Sequence, residues 1–183
     1  MVRICGIVAL LLALGFGATA QAATLKADYR FENTLASSVS GAAALTNAPA
    51  DACAHNGPNA FATAPMGART IPVLSFQRDG GVVGPASPLV AQGSYSIAVL
   101  FKFTKTYDGL WRRIIDLSNG TSNDGLYVDP GDTLDFYNVI AGTDTFTDGA
   151  YHQVVLTRDG PTKLVSEYLD GTLEGSFLSL IHI

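Results

Sequence analysis

Ser94-Tyr95-Ser96-Ile97-Ala98-Val99-Leu100-Phe101-Lys102-Phe103-Thr104 alternates with a period of two. Tyr95, Ile97, Val99, Phe101 and Phe103 share one face, and Ser94, Ser96, Ala98, Leu100, Lys102 and Thr104 share the other. Successive side chains of an extended chain point to opposite sides, so this stretch reads as a strand with one face in a core. Shorter runs of the same kind follow at Trp111 to Leu117, Leu126 to Val128, Leu134 to Val139, His152 to Arg158 and Leu164 to Leu169. Before it, Leu25 to Glu32 alternates Leu25, Ala27, Tyr29 and Phe31 with Lys26, Asp28, Arg30 and Glu32, and is expected to be a strand as well. Regular structure is also expected at Val73 to Phe76 and around Gly81 to Gly84.

Asp-Gly recurs at 79/80, 108/109, 124/125, 148/149, 159/160 and 170/171. Both residues tolerate φ > 0 and the Asp carboxylate can accept amides of its own turn, so each pair marks a reversal. From Ala36 to Thr70 the pattern dissolves into Ala, Gly, Pro and Asn, with Pro49, Pro58 and Pro65 opposing any helix. That segment reads as a long loop with a short edge strand or a helical turn. No segment carries a sustained helical stripe. Short strands, frequent turns and no intervening helices predict an all-β, antiparallel sandwich of the jelly-roll kind.

The composition of the 183 residues, 48% hydrophobic and 15% charged, belongs to a folded domain and excludes a disordered polyelectrolyte or a coiled coil. The formal net charge is −5, and no basic cluster exceeds the pair Arg112 and Arg113, which argues against a nucleic-acid partner. Arg3, the apolar run from Ile4 to Phe16 and Ala20-Gln21-Ala22 have the form of a cleavable leader. The run is shorter than the roughly 20 apolar residues that span a bilayer, so no transmembrane segment is expected. Residues 1–22 are therefore expected to be a signal peptide, and the mature protein to be secreted, periplasmic or held at the cell surface. Cys5 lies in the leader and Cys53 alone remains, which excludes an internal disulfide and a thiolate metal cluster in the mature chain.

The series Leu25 to Asn33, Tyr95 to Thr104, Leu110-Trp111-Arg112-Arg113-Ile114-Ile115-Asp116, Asn123-Asp124-Gly125-Leu126-Tyr127-Val128, Asp148 to Gly160 and Tyr168-Leu169-Asp170-Gly171 resembles a laminin G-like domain. Such domains belong to the concanavalin A-like lectin/glucanase sandwiches, and the likeness spans residues 23–177. It implies an exported binding or surface module of bacterial type. Two features depart from the family: Tyr151 stands where Trp is frequent, and Leu178 to Ile183 is unlike it, resembling a translated adaptor tail. The expectation is a sandwich left incomplete, without the later strands, one of which would pair with the N-terminal strand.

The related glucanases carry paired glutamates on one strand, because one carboxylate attacks and another acts as acid and base. Only Glu32, Glu167 and Glu174 occur here, without that spacing, so no catalytic residue is assigned and these glutamates are expected to face solvent. His152 is expected to pack or bond locally rather than act as a base. The dispersed histidines do not support zinc, and calcium, which takes carboxylate, amide and carbonyl oxygens from loops, is the candidate cofactor; its candidate ligands are Asn119, Asn123, Asp124, Asp144 and Asp148. Turn chemistry is the competing explanation for all five. Carbohydrate binding needs an exposed aromatic ring beside polar groups. Trp111, the sole tryptophan, with Arg112 and Tyr127, is the candidate, against the alternative that Trp111 is buried.

The expected function is an exported, non-catalytic module that binds a glycan or a cell-surface protein. A diverged glycoside hydrolase or lyase on the same fold, and a purely structural surface protein, are the alternatives.

Overall fold

The computed structural model describes residues 23–48, 59–76, 80–84, 93–103, 109–118, 122–145 and 149–179. Cys53, Asn119, Asp148 and residues 1–22, expected to be a leader, lie outside the described residues. Every regular element among them is a strand. One four-stranded sheet runs in the order β12 (Thr172–Leu178), β11 (Leu164–Leu169), β10 (His152–Arg158), β5 (Tyr95–Phe101). A second runs β6 (Arg112–Asp116), β7 (Gly125–Val128), β8 (Thr133–Phe136), β9 (Ile140–Thr145). Neighbouring strands in both are antiparallel. Two small sheets complete the set: β1 (Thr46–Asn47) with β4 (Val82–Val83), and the hairpin of β2 (Ala60–Met66) with β3 (Arg69–Ser75).

The two large sheets pack face to face. Leu126, Val128 and Leu134 from one meet Val154 and Leu169 from the other, ringed by Val99, Phe101, Phe103, Ile114 and Ile115. Beside this group Phe136 meets Leu156 and Val165, and its ring stacks at 4.7 Å on Phe177 of the opposite sheet. Each fully buried Leu or Val contributes on the order of 1.5 to 3 kcal/mol, so this apolar layer holds the antiparallel sandwich together. The period-two face of β5 points into it as its sequence requires.

Asp170 and Gly171 both have positive φ, 48° and 89°, and link Leu169 to Thr172 directly: a two-residue turn of the kind that matches strand twist. Gly109 and Gly149 also have positive φ. Gly125 departs from the turn reading. It opens β7, and a Cβ there would run into the Ile115 carbonyl, so glycine is needed for close approach of two strands.

Three further expectations change. Leu25 to Glu32 is not a strand. Phe31 and Asn33 both take φ 57°, which interrupts an extended chain, and the backbone there bonds locally: the Asp28 N–H donates to Ser37 Oγ at 3.0 Å and the Ser38 N–H to the Asp28 carbonyl at 2.8 Å. The Ala36 to Thr70 segment contains β1 and β2 and the first residues of β3. Pro65 and Pro72 are accommodated because, among the described residues, β2 and β3 pair only with each other, and a strand edge without a ladder needs no donor. The run Leu134 to Val139 is β8 followed by a turn at 137–139, where Asn138 has φ 54° and the Val139 N–H donates to the Phe136 carbonyl at 2.7 Å; β9 begins immediately after.

Candidate functional site

β6 and β7 pair with Arg113 opposite Tyr127, and β7 and β8 with Tyr127 opposite Asp135. These side chains lie on the outer face of their sheet, since Leu126, Val128, Leu134 and Phe136 alternate with them into the core. Trp111, just before β6, and Tyr137, just after β8, flank them. The three rings form one cluster, with centroids 4.9 Å apart for Trp111 and Tyr137, 5.2 Å for Tyr127 and Tyr137, and 6.0 Å for Trp111 and Tyr127. Trp111 is 38% exposed and Tyr127 only 4%, so the tryptophan is the outward ring and the tyrosine its support.

Polar groups fix this support. Arg113 Nε donates to the Tyr127 hydroxyl at 2.7 Å, Nη1 pairs with Asp116, Nη2 donates to Asn123 Oδ1 at 3.3 Å, and the guanidinium lies over the Tyr127 ring. The Tyr127 hydroxyl donates to Asn123 Oδ1 at 3.4 Å. Burial raises the Tyr127 phenol above its ordinary value, against the pull of Arg113. Asp116 Oδ1 receives the Ser118 N–H at 2.6 Å and thereby ties the following loop to the same network. The result is one exposed indole with guanidinium, amide, carboxylate and hydroxyl groups within the span of two strands.

The structure thus brings Trp111 and Tyr127 together, with ring centroids 6.0 Å apart. Arg112 is not part of it: it pairs in register with Val128, lies over the Phe103 ring at 4.4 Å and bonds Asp132, on the core side of the rim. Arg113 and Tyr137 escaped the sequence reading. The signal for Tyr137 was the turn Asp129-Pro130-Gly131-Asp132, whose Asp132 N–H donates to the Asp129 carbonyl at 3.0 Å; folding the chain there puts Tyr137 on the Tyr127 face.

The calcium candidates fall in different places. Asn123 and Asp124 lead into β7, and Asn123 Oδ1 is held by the Arg113 guanidinium, so a metal ion there would have to displace a cation. Asp144 lies in β9, at the edge of the sheet opposite β6. Asn119 and Asp148 lie outside the described residues. Among the described residues no three His, Cys, Asp or Glu side chains are grouped to hold a metal ion. A cavity of about 130 Å³, lined by Arg30, Phe31, Glu32, Thr34, Ala36 and Ser38, is small beside ordinary ligand pockets of roughly 300 Å³ or more.

His152 bonds locally, as expected, with Nδ1 2.9 Å from Asp170 Oδ2. The glutamates do not all face solvent. Glu32 is exposed, but Glu167 is 0% exposed, because the alternation of β11 puts Val165, Glu167 and Leu169 on the core face. Burial first, then the charges of Asp135 and Glu174, push its carboxyl up to about 8. Glu174 is the extra residue of a bulge, where Glu167 and Tyr168 oppose Gly175 and Leu173. The bulge turns its side chain toward β9, and its Oε2 accepts the N–H groups of Thr143 at 2.8 Å and Asp144 at 3.0 Å.

No helix of the described residues is long and apolar enough to cross a membrane. No family model, no curated protein and no solved structure matches the chain.

Proposed function

We propose that the chain is an exported, non-catalytic laminin G-like module that binds a glycan or a surface partner through the face around Trp111. The observation that carries the reading is the exposed indole braced on Tyr127 and Tyr137 beside Arg113, Asn123 and Asp116. An aromatic face presents a flat apolar surface to the C–H side of a sugar ring, and the neighbouring donors and acceptors take its hydroxyls. The position of Glu167 supports a non-catalytic role, since a general acid must reach the atom it protonates and this carboxyl lies between two sheets. The leader in residues 1–22 supports export.

The test is a panel of neutral and acidic polysaccharides and surface-protein fractions, screened against the protein and Trp111→Ala. Saturable binding weakened at least tenfold by the substitution, with an unchanged melting temperature, supports the reading. Binding that ignores the substitution, or turnover of a polysaccharide by the purified protein, overturns it.

A further inference from the structure

We propose that Glu167 is a buried proton-binding site in the seam between β12 of one sheet and β9 of the other, and that loss of its proton opens this seam. Glu167 lies between Leu156 on β10 and Gly175 on β12, fully withdrawn from solvent, and neither of its carboxyl oxygens has a hydrogen-bond partner. A Cβ on Gly175 would stand 3.1 Å from Glu167 Oε1 and 2.9 Å from Ile140 Cδ1, so the carboxyl head occupies the narrow space that glycine leaves beside β9. A carboxylate with no donor in such a place bears the full penalty of leaving water, whereas the neutral acid bears far less.

The charged groups around it all favour the proton. From β12, Glu174 keeps Oε1 buried and without a partner while Oε2 is bound to the β9 backbone. From β8 comes the charge of Asp135. On β9, Ile140 lies against Gly175 and Gly142 against Glu174, and the one ionisable side chain of the strand, Asp144, is exposed. The buried cation on the same face, Arg158 of β10, is paired in register with Val165, donates from Nη1 to the Gly93 carbonyl at 3.1 Å, and exerts its charge on Tyr95 and Asp159. Nothing on these elements compensates an ionised Glu167. Once the proton leaves, two carboxylates face each other in the seam, and separation of β12 from β9 hydrates both. The raised proton affinity of Glu167 places this event at mildly alkaline pH in the closed form.

Amide hydrogen exchange of Thr143 and Asp144 in the full chain, corrected for intrinsic rates, reads the seam directly. A closed form that retains the proton to about pH 8 and an open form that releases it near 4.5 require protection to fall about tenfold per pH unit between those values, and to level off above them. In Glu167→Gln the same amides should keep a pH-independent protection. Equal slopes in the two proteins overturn the proposal. Should the variant fail to fold, carbon-13 titration of the Glu167 carboxyl in the unaltered protein decides: a midpoint near 8 supports the site and one near 4.5 overturns it. Glu174→Gln should lower that midpoint, and an unchanged one overturns the pairing of the two glutamates.

Discussion

The absence of a side chain at Gly142 is what lets Glu174 reach the backbone of β9: a Cβ at residue 142 would stand 2.9 Å from Glu174 Cβ and closer still to its carboxylate. Among the described residues β9 is the outermost strand of its sheet, with no strand paired beyond it. β8 and β9 fall out of register between the Thr133–Thr145 and Asp135–Ala141 pairs, so β9 bulges at 142–144. There the Thr143 and Asp144 N–H groups both turn to one carboxylate oxygen. An open strand edge is a row of unsatisfied donors, and this ionised acceptor from the facing sheet closes part of it.

Gly142→Ala and Glu174→Ala should each destabilise the protein by about 2 to 4 kcal/mol, since each removes the same charge-assisted bonds. The double variant should cost little more than either single one. Urea unfolding of the three variants measures the coupling, and additive losses would show that the two residues do not act together.

Replacing Glu167 by Leu should stabilise the protein, and more at high pH than at low. The Glu167 carboxyl binds its proton more tightly folded than unfolded, so its contribution is complete below about 4.5 and declines as pH rises to about 8. The slope is about 1.4 kcal/mol per pH unit at most, and less where the seam is partly hydrated. Melting temperatures at pH 5 and pH 9 check this; an advantage of the Leu variant that is the same at both values contradicts it.

Two glycines should respond very differently to alanine. At Gly125 the new methyl group meets the backbone carbonyl of Ile115, which cannot move aside, and the variant should lose more than about 3 kcal/mol or fail to fold. At Gly149, φ is 91° but nothing lies within 4 Å, so only the backbone preference is lost, about 1 kcal/mol. Comparable losses at the two sites would refute the packing argument.

Asp170→Asn should keep the turn, because Asn accepts the same positive φ, while removing the charge beside His152. Burial pulls the Asp170 carboxyl up, but the Gln153 N–H and His152 outweigh it and hold it below the usual carboxylate range. Its contribution is therefore present above the unfolded value of 3.8 and is lost as pH falls through the lower folded value. The Asn variant should show a shallower loss of stability on the acid side, with no change at neutral pH attributable to the turn itself. A steeper acid limb in Asp170→Asn than in the unaltered protein would be inconsistent with this.

Tyr127→Phe should loosen Arg113 and cost about 1 kcal/mol, by removing the hydroxyl that accepts its Nε–H. If the Trp111 face is a binding surface, affinity for its ligand should fall with this change too, through support of the indole rather than contact. Calorimetric titration of Tyr127→Phe beside Trp111→Ala separates the two: the former should weaken binding severalfold and the latter at least tenfold. An order reversed between them would place the ligand elsewhere.

Local pattern determined much of this protein. The alternation of Tyr95 to Phe101 and of His152 to Arg158 makes each a strand with a named inner face, because period two is a property of any extended chain. Asp170-Gly171 declares its turn because both residues accept positive φ. Leu25 to Glu32 carries the same alternation and is not a strand, since a strand also needs a partner's donors and acceptors, which Ser37 and Ser38 supply instead. The site divides along the same line. Trp111 and Tyr127 were legible as residue types, but their meeting with Tyr137 and Arg113, and the turning away of Arg112, follow from the registers of β6, β7 and β8. Glu167 shares a face with Val165 and Leu169 in any strand, yet its chain neighbours do not say whether that face meets water or another sheet. Only packing of β9 and β12 across the sandwich decides it: Glu174 is close in sequence across the Asp170-Gly171 turn, but β9, which closes over this seam, is not, and distance in space sets both burial and charge.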